Sequence, residues 1–230
     1  MAERGRPRNF DRTEALNRAL IAFWRNGFEA TSMNDLVEAM GINSPSIYAA
    51  FGSKEALFAE TVKYYHAAYA NGLLEALNDA PDAPSGIDAM FDAAVELFTR
   101  PDTPGGCFVV NSVASNAPNG PETVQTLKGV RRERSEQIAE RLAKDMHSGR
   151  LRDDTPVQEL SDLYAAILQG LAQAARDGLG KERLAKLSEH SRNLIAPWML
   201  DRNIHQGTAE AEMFGDGERL NKRCERDARA

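Results

Sequence analysis

Between Thr31 and Lys54 the chain gathers side chains suited to holding a polyanion rather than to making or breaking bonds. Thr31, Ser32, Asn43, Ser44, Ser46 and Tyr48 supply hydroxyl and amide groups, and Lys54 closes the run with a cation. Upstream, Arg4, Arg6 and Arg8 are spaced by Gly5 and Pro7, a basic string able to track phosphates. The groups that catalysis needs are scattered. His66, His147, His190 and His205 form no HExxH pair, and there is no Walker glycine loop and no nucleophile elbow. Cys107 and Cys224 lie far apart with no CxxC or zinc spacing. The expectation is a binding protein rather than an enzyme, with no cofactor and no metal.

Two short helices must carry the polar run. Thr31 or Ser32 caps the first, and Asp35 completes a Ser-x-x-Asp capping pattern. Met33, Leu36, Val37 and Met40 recur at helical spacing, and Gly41 follows where a left-handed residue ends a helix. Ser44 and Pro45 restart the second helix as cap and first helical residue. That helix has Ile47 and Phe51 as its main apolar anchors. The pattern is a helix-turn-helix whose second member, 44–50, enters a DNA major groove; an ordinary helical hairpin is the competing reading. A preceding helix, 11–26, turns Leu16, Ala19, Leu20 and Phe23 inward, with Trp24 beside them. Its Arg12, Arg18 and Arg25 are left for phosphates.

The net charge of −6 is unevenly placed. Residues 1–27 hold six arginines against three acids, so positive charge is concentrated where DNA would be met. Residues 1–10 read as a flexible basic arm. Either Arg4, Arg6 and Arg8 lie in an A/T-rich minor groove, or the arm is simply solvated. With 42% hydrophobic residues, no apolar run long enough to span a bilayer and no apolar core of a signal peptide, the sequence suits a soluble cytoplasmic protein.

The run Gly27 to Phe58, GFEATSMNDLVEAMGINSPSIYAAFGSKEALF, strongly resembles the DNA-binding half of the TetR family of bacterial transcriptional regulators. Thr31-Ser32-Met33, the Gly41-Ile42 turn, Ser46-Ile47-Tyr48, Phe51 and Ser53-Lys54-Glu55 carry the resemblance, and Ala49-Ala50 departs from it. The departure shifts base reading toward Asn43, Ser44 and Ser46, with an alanine methyl available to a thymine methyl. The resemblance implies an all-α homodimer on an inverted repeat of double-stranded DNA. It also implies a small-molecule effector in a larger C-terminal domain. The expected architecture is an N-terminal three-helix helix-turn-helix domain (11–56), joined by a long helix to a helical regulatory and dimerisation domain (57–200). Residues 201–230, where seven acids and six basic residues interleave, read as a poorly ordered tail.

Helices are expected at 54–77, 85–99, 107–117, 122–148, 156–176 and 181–200. The charged residues of 122–148 (Arg131, Arg132, Glu133, Arg134, Glu136, Glu140 and Arg141) read as a salt-bridged solvent face. Tyr65, Phe91, Val95, Cys107, Phe108, Asn111, Ile138 and Tyr164 are candidates to line an effector pocket, with core packing the more ordinary role for each. Asn111 either orients a ligand or satisfies a carbonyl. Cys107, after Gly105-Gly106, is either an oxidant- or electrophile-sensitive thiol or inert core. Leu160, Leu163, Ile167, Leu171, Leu184, Leu187, Leu194 and Trp198 are expected at a two-fold interface. The alternatives to an effector-switched repressor are switching through Cys107, and a helical small-molecule binder or enzyme with a vestigial helix-turn-helix.

Overall fold

The computed structural model describes residues 10–112 and 122–200. Its elements are α1 (Arg12–Asn26), α2 (Met33–Met40), α3 (Ser44–Phe51), α4 (Lys54–Tyr65), a π-helical segment (His66–Ala70), α5 (Asn71–Asp79), α6 (Ala83–Phe98), α7 (Phe108–Asn111), α8 (Glu122–His147), α9 (Val157–Arg176), α10 (Lys181–Arg192) and a 3₁₀ segment (Asn193–Trp198). Among the described residues there is no strand, only an isolated bridge between Leu151 and Met199. The fold is all-α, with an N-terminal helix-turn-helix domain and a C-terminal helical domain.

The first three helices close over an aromatic centre. Leu16, Ala19, Leu20, Phe23 and Trp24 of α1 are buried, as the apolar period predicts. Phe23, Phe28 and Phe58 meet at ring separations of 5.0–6.0 Å, which locks α1 against α4.

The long connecting helix keeps its path but not its period. Buried positions run Phe58, Val62 and Tyr65, then resume at Ala70, Leu73 and Leu77. The step of five between Tyr65 and Ala70 is the π-helical segment, where Asn71 N–H donates to the His66 carbonyl. The extra residue re-aims α5 onto α6. There Gly86 admits the Leu77 carbonyl so closely that a Cβ would lie 2.4 Å from the oxygen.

Three expectations need correction. The 107–117 helix is a single turn, Phe108–Asn111, before a turn residue at Ser112; the part from 113 to 117 lies outside the described residues. The last helix stops at Arg192, because Pro197 cannot donate to a helix and the chain tightens into 3₁₀ geometry instead. Helix α8 is not charged only on its solvent face: Arg134 and Arg141 are buried. Both fall on the inward stripe that also holds Leu127, Ile138 and Leu142. Arg141 donates to the Ala80 carbonyl at 3.0 Å and lies 3.8 Å from the buried Asp145. Asp145 accepts from Ala83 N–H at 2.6 Å and from Arg150 at 3.2 Å. This buried ion pair ties the end of α8 to the start of α6. Val124, also expected inward, lies where side chains are not described.

The candidate DNA-binding interface

Local hydrogen bonds fix both helices of the polar run. Ser32 caps α2: its Oγ accepts from Asp35 N–H at 3.2 Å, while Asp35 Oδ2 accepts from Ser32 N–H at 2.7 Å. These bonds from Ser32 hold the Asp35 carboxyl below its ordinary value, the backbone bond contributing most. Gly41 takes the left-handed conformation at φ 68°, and its N–H returns to Val37 O. The cap of α3 is Asn43 rather than Ser44. Asn43 Oδ1 accepts from Ser46 N–H at 2.9 Å, which places Ser44 and Pro45 inside the first turn.

Helix α3 is anchored on one side only. Ile47 and Phe51 are buried, and the Arg12 guanidinium covers the Phe51 ring at 4.5 Å while pairing with Glu60 at 2.6 Å. The opposite side presents Asn43, Pro45, Tyr48 and Ala49 to solvent, with Ser44 and Ser46 half-buried beside them. Tyr48 is 49% exposed, unusual for an aromatic residue on so short a helix. Ala50 packs inward, and its carbonyl receives Arg12 at 3.5 Å. The departure from the family pattern at Ala49-Ala50 therefore divides into one exposed methyl and one packing position.

Lys54 opens α4, where Ser53 Oγ caps Ala56 N–H at 3.1 Å. The Lys54 ammonium rests 4.4 Å over the Phe28 ring, so it is held at the N-terminus of α4. Ser32 is exposed at the start of α2. Thr31 is placed differently from expectation. It is fully buried and donates to Gly27 O at 2.6 Å, so its hydroxyl shapes the turn instead of reaching a phosphate. Of the α1 arginines, Arg12 is engaged with Glu60 and Arg18 with Glu14, while Arg25 is exposed. Arg4, Arg6 and Arg8 lie outside the described residues.

The C-terminal candidates fall into two contact groups. Tyr65, Phe108 and Cys107 gather beneath Trp24, and Tyr65 OH donates to Cys107 Sγ at 3.4 Å. Burial pushes the Tyr65 phenol well above its ordinary value. Asn111 Nδ2 reaches Gly105 O at 3.3 Å. Phe91 meets Tyr164 edge-on at 6.0 Å, and Tyr164 OH donates to Arg192 O. Val95 and Ile138 are core residues. Three surface clefts of about 440, 370 and 420 Å³ have other residues as their walls. Of the interface candidates, Leu160, Leu171 and Leu184 are buried within the protomer. Ile167, Leu194 and Trp198 are half-buried, and Leu163 and Leu187 stand 44% and 48% exposed.

One set of contacts has no counterpart in the sequence reading. Arg176, in the last turn of α9, donates to the Trp24 carbonyl at 3.1 Å and to that of Arg25. Trp24 Nε1 donates to Gly105 O at 3.1 Å, and Phe28 N–H to Ser112 O at 3.2 Å. The two domains are thus joined at the C-terminal end of α1 as well as along α4.

A helix-turn-helix with a one-sided second helix, carried on a helix that runs into an all-α core, defines a DNA-binding transcriptional regulator. The chain belongs to the TetR family of bacterial regulatory proteins. Residues 15–61 match the family described as bacterial regulatory proteins, tetR family, and residues 83–191 match the tetracyclin repressor-like C-terminal domain. The HTH-type transcriptional repressor ComR of Escherichia coli is 33% identical over 186 residues, covering 80% of this chain and 89% of that one. The HTH-type transcriptional repressor BdcR of Escherichia coli is 31% identical, covering 78% and 86%. A solved cysteine mutant of the TetR family regulator CifR, complexed with 26-bp double-strand operator DNA, is 37% identical. It superimposes with a TM-score of 0.79, covering 82% of this chain and 99% of that one.

Proposed function

We propose that the protein is a transcriptional repressor, not an enzyme, that binds an inverted-repeat operator in the cytoplasm as a homodimer and is switched by a small molecule in its C-terminal domain. The observation that carries the reading is the one-sidedness of α3. Ile47 and Phe51 fix it to the core, while Asn43, Pro45, Tyr48 and Ala49 face outward. Ser44, Ser46 and Asn43 read bases, and Tyr48 and Lys54 hold phosphates on either side, with Ser32 at the edge and the Arg4–Arg8 arm in the adjacent minor groove. The names of the related repressors support repression, and the operator complex of CifR supports duplex DNA as the partner. The exposed Leu163 and Leu187 on α9 and α10 support pairing through those helices.

Binding of the full-length protein to the DNA flanking its own gene, measured across a salt series, tests the reading. A specific, footprinted inverted repeat with affinity falling steeply as salt rises is expected. Negligible duplex affinity at low salt would return the helix-turn-helix to a vestigial role. Switching through Cys107 has its own test: the Cys107→Ser protein should lose the response to oxidants or electrophiles if the thiol is the sensor. The contact of Cys107 with Tyr65 is what favours keeping this second reading.

A further inference from the structure

Helix α3 is tethered along a single line. Ile47 and Phe51 are its buried anchors, and they stand one turn apart on the same stripe. Two anchors in line fix where a helix lies but leave it able to roll about them. A roll carries Asn43, Ser44, Ser46 and Ala49 past the base edges, where hydrogen bonds are directional. A contact off that line therefore bears on which side chain meets which base, and Arg12 makes one.

Arg12 comes from α1, 38 residues before Ala50 in the chain. Its guanidinium carbon lies 4.5 Å from the centre of the Phe51 ring, and its Nη2 lies 3.5 Å from the Ala50 carbonyl. That carbonyl belongs to the last turn of α3, the negative end of the helix, and α3 has no basic residue of its own there. The same Nη2 donates to both carboxylate oxygens of Glu60 on α4, at 2.6 and 2.8 Å. One side chain thus ties together α1, α3 and α4. Its own backbone is held by the Asp11 cap, whose Oδ1 accepts from Thr13 N–H at 2.8 Å. Arg18 is used differently, since its partner Glu14 lies on its own helix.

We propose that Arg12 is a positioning residue for base reading: with Glu60 it sets the roll of α3, and it is not a phosphate ligand. This rests on α3 being the base-reading helix, as proposed above. The side chains of Arg12 and Glu60 are 36% and 34% exposed, and so open an ion pair adds little to stability. Its effect falls on specificity, because phosphate contacts carry affinity while base contacts carry sequence. Glu60 separates the two roles by sign. Were Arg12 a phosphate ligand, Glu60 would compete with DNA for it, and removing the carboxylate would strengthen binding. In a positioning pair, removing either partner weakens operator binding.

The test uses full-length Arg12→Gln, Glu60→Gln and the double variant. Each is titrated on the footprinted operator and on an unrelated duplex of equal length, over a salt series and well below its melting midpoint. Each single variant should bind operator about tenfold more weakly, the worth of one misplaced base contact. Affinity for the unrelated duplex should stay within about twofold, with the parent's salt slope. The double variant should lose no more than Arg12→Gln alone, because the two side chains act as one contact. An unchanged ratio of operator to unrelated affinity would make the pair merely structural and overturn the proposal. Tighter binding of Glu60→Gln to every duplex, or a shallower salt slope of Arg12→Gln on the unrelated one, would make Arg12 a phosphate ligand and overturn it equally. If Arg12→Gln melts below the assay temperature, Glu60→Gln carries the test by its sign. A parent protein that prefers no duplex would overturn the base-reading role of α3 itself, and this proposal with it.

Discussion

Tyr48 shows how much of the interface depends on single side chains. Nothing in the protomer needs its ring, since α3 is held by Ile47 and Phe51. Tyr48→Ala should therefore leave stability within about 0.5 kcal/mol of the parent. It should weaken binding to all duplexes by about tenfold, the worth of one good phosphate hydrogen bond. Thermal melts and gel-shift titrations on operator and unrelated DNA check the two halves separately. Lys54→Ala should lower the slope of log affinity against log salt by about one, because one counterion fewer is displaced. Changes at Ser44 or Ser46 should instead alter sequence preference in a randomised-site selection. Thr31 behaves in the opposite way. Thr31→Val removes the bond to Gly27 O and should cost about 1–3 kcal/mol in urea unfolding, with no change in base preference.

Arg176 acts between elements. Its guanidinium caps the carbonyl end of α1, where the helix dipole is negative, so a side chain of the C-terminal domain holds the first helix of the reading head. Arg176→Ala should destabilise the protein by about 1–2 kcal/mol. It should also let the heads accept operators with one base pair more or less between half-sites; an unchanged spacing preference in a series of such duplexes would show that α4 alone sets the orientation. Gly106 guards the same junction. A Cβ there would lie 2.4 Å from the Ala172 carbonyl of α9, at a φ of +67° that disfavours any side chain. What the sequence displayed and what it hid divide along the same line. Leu16, Leu20 and Phe23, or Leu36 and Met40, announce their helices because burial repeats within one element. The capping box of Ser32 and Asp35 and the turn at Gly41 are equally local. Arg176, Trp24 and Gly105 meet only after the chain has folded, across separations of 81 and 152 residues, so no local pattern marks them. Arg134 is an intermediate case. Positions 127, 131, 134, 138 and 142 share one face, so its inward direction was readable from the period, but charge made the stripe look like surface.

At the scale of the whole molecule the question is what covers α9 and α10. An eight-residue helix touches too few base pairs to select one site in a genome, so the reading head needs a second copy at a fixed distance. Leu163 and Leu187 are large apolar side chains left largely in water, flanked by half-buried Ile167, Leu194 and Trp198, while Leu160, Leu171 and Leu184 complete the protomer's own core. Charge placed at the two exposed positions should therefore separate subunits without unfolding them. The double substitution Leu163→Glu with Leu187→Glu should sediment as a monomer and keep its helical circular dichroism. Its affinity for an inverted repeat should fall by at least about a hundredfold, because two linked contacts become two independent ones. Affinity for a single half-site should stay as it was. A variant that remained dimeric and bound the full operator normally would move the two-fold interface away from α9 and α10.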